Sequence, residues 1–252
     1  MHLVVLNSWQ GDAAALSHGL AAALGRTVPE VKSRLLGAGP VVVASFGERE
    51  PAAILADQLR SRGFGDVAVL PGDEGAGEPC LVRDFALGGS EITVTSPRAS
   101  YEIPYDEIEL FLRGTRSELH FTQERGSTRE FSAARALLSG GLMITRKVST
   151  VRTRETEERK AFLNLYAGAR PVVTFVETEL RFRSLGAALQ PSRQANFQLL
   201  IDELRRRAPA ALYDDRLLQR SGQVQLLGPG LSPDRVLDVG IAVLARTLRG
   251  KG

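Results

Sequence analysis

One cysteine and three histidines in 252 residues leave little material for redox or metal chemistry. Cys80 has no partner for an internal disulfide, and a cysteine-based zinc site needs ligands that this chain lacks. His2, His18 and His120 are scattered, with no HxH or HExxH spacing to suggest a dyad or a metal triad. Glycine is plentiful, yet GAGP, GDEGAGEP and LLGPGL match neither a phosphate-cradling GxxxxGK[ST] loop nor a dinucleotide GxGxxG turn, and no GxSxG elbow is present. No apolar run approaches the roughly 20 residues that cross a bilayer. The opening MHLVVLNSWQGD lacks a charged n-region followed by a long apolar stretch. The residues therefore nominate no catalytic group, no cofactor site and no metal ligand. They predict a cytoplasmic, soluble protein that is not an enzyme and carries no cofactor.

What is present is ordinary globular material. Hydrophobic residues make up 43% and charged residues 24%, enough apolar content for a packed core. Thirty-two basic residues stand against 29 acidic ones, so the pI near 9.3 reflects arginine more than any large excess of charge. A chain of this length accommodates one large domain or two small ones, and two are expected.

The first 71 residues alternate strand and helix. HLVVLNS and PVVVASF read as buried strands and DVAVL as a third. Between them, AAALSHGLAAALG places Leu16, Leu20 and Leu24 at helical spacing after an Asp12 cap, with Gly25 as its stop. TVPEVKSRLLGAG opens on Thr27 with Pro29 in the first turn and carries Val31, Leu35 and Leu36. EREPAAILADQLRSRGF presents Ile54, Leu55 and Leu59. The order is strand, helix, helix, strand, helix, strand, and the segment is expected to fold by itself.

That order, the opening VVL, the Glu30-Val31-Lys32 triplet and the glycine-led hinge before the last strand resemble the C-terminal domain of the bacterial ribosomal stalk protein. Its fold is shared by the Clp-protease adaptor for N-degrons. The resemblance implies a protein-docking face on the first two helices, where His18, Arg26, Lys32 and Arg34 fall. The N-degron adaptors hold an amino terminus with an Asn-Asp-Asp stretch and a later histidine. Here Asn7 is followed by Ser8 and Trp9, and no histidine occurs between His18 and His120, so that capture chemistry does not carry over.

GDEGAGEP, residues 72–79, reads as a linker. Residues 80–220 then read as an antiparallel β-rich domain: Ile92 and Val94 alternate with polar residues, as do Tyr101 and Ile103, around a Gly88-Gly89 turn. ELHFTQ and KAFLNLYAGARPVVTFVETELRFRSLG supply further strands, and residues 132–145 a short inserted helix. SRQANFQLLIDELRRRAP closes the domain as a helix with Phe197, Leu200, Ile201 and Leu204 on one face, ending before Pro209. Strands closed by one amphipathic helix resemble a pleckstrin-homology-like domain. Tyr213-Asp214-Asp215-Arg216 reads as a salt-bridged turn, since adjacent side chains on an extended chain point opposite ways. The expected class is α+β: a stalk- or adaptor-like module at 1–71, the β-rich domain, and a C-terminal helical tail over 221–252. In that tail SPDRVLDVGIAVLARTLRG spreads its apolar residues over a wide arc. Leu237, Ile241, Leu244 and Leu248 suit the parent domain. Val236, Val239 and Val243 are left for another part of the chain, a partner or a second copy, which makes homo-oligomerisation through 232–249 one candidate.

RKVSTVRTRETEERK, residues 146–160, holds six cations, Arg146, Lys147, Arg152, Arg154, Arg159 and Lys160, among three glutamates. The cations suit phosphates, but the acids halve the local charge and no aromatic residue interleaves to stack on a base. A solvated hairpin or loop, a long connection between strands, is the favoured reading. The function expected from the sequence is thus a protein–protein interaction or adaptor role with an unidentified protein partner. The alternative is an anion or nucleic-acid binder using 146–160.

Overall fold

The computed structural model describes residues 1–37, 39–72, 78–131, 145–228 and 230–250, leaving aside the side chains of residue 13 and of residues 118–157. The first sheet has β1 (His2–Ser8) at its centre, antiparallel to β2 (Val41–Phe46) on one side and β3 (Asp66–Pro71) on the other. Helices α1 (Ala13–Leu24), α2 (Val28–Lys32) and α3 (Arg49–Ser61) fall between these strands in the expected order. Local chemistry sets their ends. Asp12 accepts from the backbone N–H groups of Ala14 and Ala15, and Gly25 closes α1 in the left-handed region at φ 60°. Glu30 accepts from the backbone N–H and the hydroxyl of Thr27 at 2.8 and 2.7 Å. Those bonds, the hydroxyl's first, hold the Glu30 carboxyl below its ordinary pKa.

Side chains alternate along β1, and both of its faces are buried. Val4 and Leu6 join Val41, Val43, Leu16, Leu20, Val31, Leu55, Leu59 and Phe64 beneath the three helices. Leu3 and Val5 point the other way, into a core shared with Val42, Leu110, Leu112, Phe162, Leu226 and Leu244. The uninterrupted run Leu3–Leu6 is what a strand covered on both sides requires. The apolar residues of 1–71 therefore serve two cores, one of them built jointly with later segments. Residues 73–77 of the expected linker lie outside the described residues. By compactness the chain has one unit of residues 1–116 and 160–252 and another of Ser117–Arg159.

Past Glu78 the chain forms β4 (Cys80–Leu81), β5 (Asp84–Leu87), β6 (Glu91–Thr95), β7 (Ser100–Pro104), β8 (Ile108–Phe131), β9 (Thr145–Ala167) and β10 (Val173–Val176). Helix α4 (Arg193–Arg207), strand β11 (Leu212–Leu217), and helices α5 (Arg220–Leu227) and α6 (Pro233–Arg249) complete it. β5, β6 and β7 make an antiparallel three-stranded sheet. The five-stranded sheet, ordered β11-β8-β9-β10-β4, is mixed: β11 runs parallel to β8 and β4 parallel to β10, while β10 is antiparallel to β9. Among the described residues neither sheet closes into a barrel, and the class is α+β.

The five-stranded sheet separates two cores. Phe111, Leu163 and Leu165 face Phe85, Ile92, Val94 and Phe175, where α4 adds Phe197, Leu200, Ile201 and Leu204. Leu110, Leu112, Phe162 and Tyr166 face β1 and α6. Gly114 of β8 makes room for its neighbours on the flanking strands, because a Cβ there would lie 2.9 Å from Leu217 Cβ on β11 and closer still to the Phe162 ring on β9.

Several expectations need correction. The supposed turn at Tyr213–Arg216 belongs to β11, with Leu212, Tyr213 and Asp214 in register with Leu110, Phe111 and Leu112. Its ion pair is real, Asp214 binding Arg216 at 2.7 Å. The stretch from Lys160 supplies two strands, the end of β9 and β10, and after β10 comes a 3-10 turn, Arg183–Ala188. Residues 132–144 of the proposed inserted helix lie outside the described residues. In α6 Leu237, Ile241, Leu244 and Val243 are buried in one core, on which Val239 and Leu248 also pack, while Val236 is half-buried. The outward positions Asp234, Arg235, Asp238 and Arg246 are charged and exposed. Most of the apolar surface of 232–249 is thus taken up by the chain's own core.

Candidate functional site

Helix α4 buries one stripe and turns the rest of its surface to solvent. Ser192 caps it by accepting from the N–H of Ala195 at 3.1 Å. Its last turn carries Arg205, Arg206 and Arg207, cations placed where the helix macrodipole is negative. Pro209 cannot continue the helix. The N–H of Ala208 donates to Leu204 and that of Ala211 to Ala208, which folds the chain back into β11. This reversal brings Tyr213 beside the last turn of α4.

The three arginines then meet different fates. Glu203 accepts from Arg206 Nη2 at 2.6 Å and from Arg207 Nε at 3.2 Å. These bonds, Arg206's first, pull the Glu203 carboxyl below its ordinary pKa, and Glu203 in turn raises Arg206. Arg207 also donates to the Gly88 carbonyl and lies over the ring of Tyr105, 5.7 Å from its centroid. Burial is the leading cause of the raised Tyr105 pKa. Arg205 instead lies over Tyr213, its guanidinium carbon 4.0 Å from the ring centroid. Among the described residues it has neither a hydrogen bond nor an ion pair.

An open cleft of about 380 Å³ lies at this corner. Asp202, Arg205 and Arg206 form its polar side, and Ala208, Pro209, Ala211 and Tyr213 its apolar side. Asp202 accepts from Gln198 at 2.9 Å. The lining combines a cation with unspent donors, a carboxylate one helical turn away and a small apolar wall. It holds no histidine, cysteine, serine or threonine to act as nucleophile or base. Elsewhere among the described residues no three histidine, cysteine, aspartate or glutamate side chains cluster as a metal would need. No helix among them is long and apolar enough to cross a membrane.

The residues singled out from the sequence lie elsewhere. His18 on α1, Arg26 in the turn after it and Lys32 at the end of α2 are exposed. Arg34 does not join them. It is 5% exposed, and its Nη1 donates to the Val43 carbonyl at 2.7 Å, so it braces β2 and cannot meet a partner. Its Nε is buried with no hydrogen-bond partner among the described residues, and burial leads the causes that lower its pKa. The 146–160 segment lies within strand β9, as an arm of a hairpin would and a loop would not. Arg159 is exposed and Lys160 partly so. The side chains of Arg146, Lys147, Arg152 and Arg154 fall outside the described residues.

Sequence reading missed Arg205 and Tyr213. The Arg205-Arg206-Arg207 run was legible, as was the proline that ends the helix. Only the reversal through Ala208–Ala211 shows that one of the three arginines stacks on a tyrosine eight residues later. No family model, curated protein or solved structure matches the chain.

Proposed function

We propose that this chain is a non-enzymatic protein-interaction module that docks its partner at the cleft between the end of α4 and the start of β11. The observation that carries the reading is Arg205, held over Tyr213 at 4.0 Å with no hydrogen bond or ion pair to any described residue. A guanidinium backed by an aromatic ring has lost part of its rotamer freedom before any partner arrives, and its donors remain unspent. Tyrosine and arginine are also the side chains that most often dominate interface energies. The resemblance of residues 1–71 to the stalk domain supports the same class of function, with His18, Arg26 and Lys32 as a second exposed set.

Affinity capture with the full chain tests the reading. Proteins retained by the parent should be lost with Arg205→Ala and with Tyr213→Ala, provided that circular dichroism shows both variants folded. Retention that ignores both substitutions would place docking elsewhere. Retention lost only when Arg152, Arg154, Arg159 and Lys160 are neutralised would move the function to the 146–160 segment and to an anionic partner.

A further inference from the structure

Resting on that docking reading, the charge and shape of the cleft go further and point to the chemistry of the partner. We infer that the cleft receives a protein segment bearing a carboxylate, which Arg205 grips with its paired N–H donors while Tyr213 backs the guanidinium.

A planar guanidinium matches the two oxygens of a carboxylate through parallel hydrogen bonds, and the same fork also matches phosphate. Charge decides between them. Arg205, Arg206 and Arg207 face Asp202 and Glu203 within the same two turns of helix, a net charge of +1. Glu203 already engages Arg206 and Arg207, so one cation is unspent and Asp202 stands one turn from it. A single negative charge is satisfied by that arrangement. A phosphate dianion, or the repeated phosphates of a nucleic acid, would need further uncompensated cations and would meet Asp202.

The remaining lining suits a peptide. Ala208, Pro209 and Ala211 offer small apolar surface where the main chain or a short aliphatic side chain beside the acid can lie. A volume of about 380 Å³ is at the lower end of the range for ligand clefts, roughly 300–1,000 Å³. It holds a few residues of an extended segment and not a folded face.

The test uses the full chain and fluorescent short peptides with varied flanks, whose central residue is Asp, Glu, Asn, Gln or phosphoserine. Asp and Glu peptides should bind about tenfold more tightly than their Asn and Gln counterparts, the size expected of one partly exposed charge-assisted pair. The preference should vanish with Arg205→Ala, weaken with Arg205→Lys, which lacks the fork, and survive Tyr213→Phe, which keeps the ring. Equal binding of acid and amide peptides, or no binding by any peptide, overturns the carboxylate assignment. Tighter binding of phosphoserine peptides overturns it in favour of phosphate. None of these outcomes touches the docking reading, which fails separately if captured proteins are indifferent to Arg205 and Tyr213.

Discussion

Arg34 illustrates how one residue escapes pattern reading. Its neighbours Glu30, Val31 and Lys32 were legible as a capped helix, and Arg34 and Leu35, three and four residues after Val31, fall on the same inner side, yet an arginine there reads as exposed by its type. The helix ends in a 3-10 turn at Ser33–Leu35, Arg34 and Leu35 are both buried, and Leu36 is left 64% exposed. The buried guanidinium contributes one bond to Val43, against the cost of taking a charge and its Nε out of water. Arg34→Met, which fills similar space without a charge, should therefore change unfolding free energy by no more than about 1 kcal/mol in either direction. Arg34→Ala leaves a void and an unpaired carbonyl, and should cost about 2–4 kcal/mol. Chemical denaturation of both variants measures the difference. Equal losses would show that the bond to Val43, and not the filled volume, is what the site needs.

At the level of elements, strong periodicity was readable and non-local pairing was not. α1, α3, α4 and α6 announce themselves through apolar spacing and cap residues. β11 does not, because its paired acids read as a turn, and only the parallel register with Leu110–Leu112 makes it a strand. α5 is short and opens on Arg-Ser-Gly. It is held by Gln223, whose Nε2 donates to the carbonyls of Thr115 and Leu217, both at 2.7 Å. The 146–160 stretch looked like a solvated connection because of its charges, although Val148, Thr150, Val151, Thr153 and Thr156 are β-branched residues suited to a strand. For α6, the wide apolar arc, Val239 and Val243 as well as Leu237, Ile241 and Leu244, goes into one core of the same chain. Leu244→Asp, at a fully buried position, should lower stability by roughly 3–5 kcal/mol. Arg246→Glu, on the exposed face, should change neither the melting temperature by more than a degree or two nor the mass seen by light scattering. A fall in mass with Arg246→Glu would restore α6 as an assembly contact.

Over the whole molecule, the first sheet belongs to two cores, and this bears on how the chain can be divided. Expressed alone, residues 1–71 would expose Leu3, Val5 and Val42, each worth about 1.5–3 kcal/mol when buried. Their sum rivals the entire stability of a small domain. The fragment is expected to give poorly dispersed amide spectra or to self-associate, whereas a monomeric fragment with sharp, dispersed resonances would show that the layer beneath the helices suffices. The pattern Leu3-Val4-Val5-Leu6 already carried this information, since a strand with one wet face would alternate. What lay on the far side of it was beyond local reading. The docking proposal is likewise a claim about the assembled molecule, because Arg205 and Tyr213 come together only when the chain reverses between α4 and β11. Photo-crosslinking tests it most directly, with a benzophenone side chain placed at Ala211 on the cleft wall or, as a control, at Ile54, 53% exposed on α3. Protein adducts are predicted from position 211, reduced by Arg205→Ala, and absent from position 54. Adducts from position 54 with none from position 211 would contradict docking at this cleft.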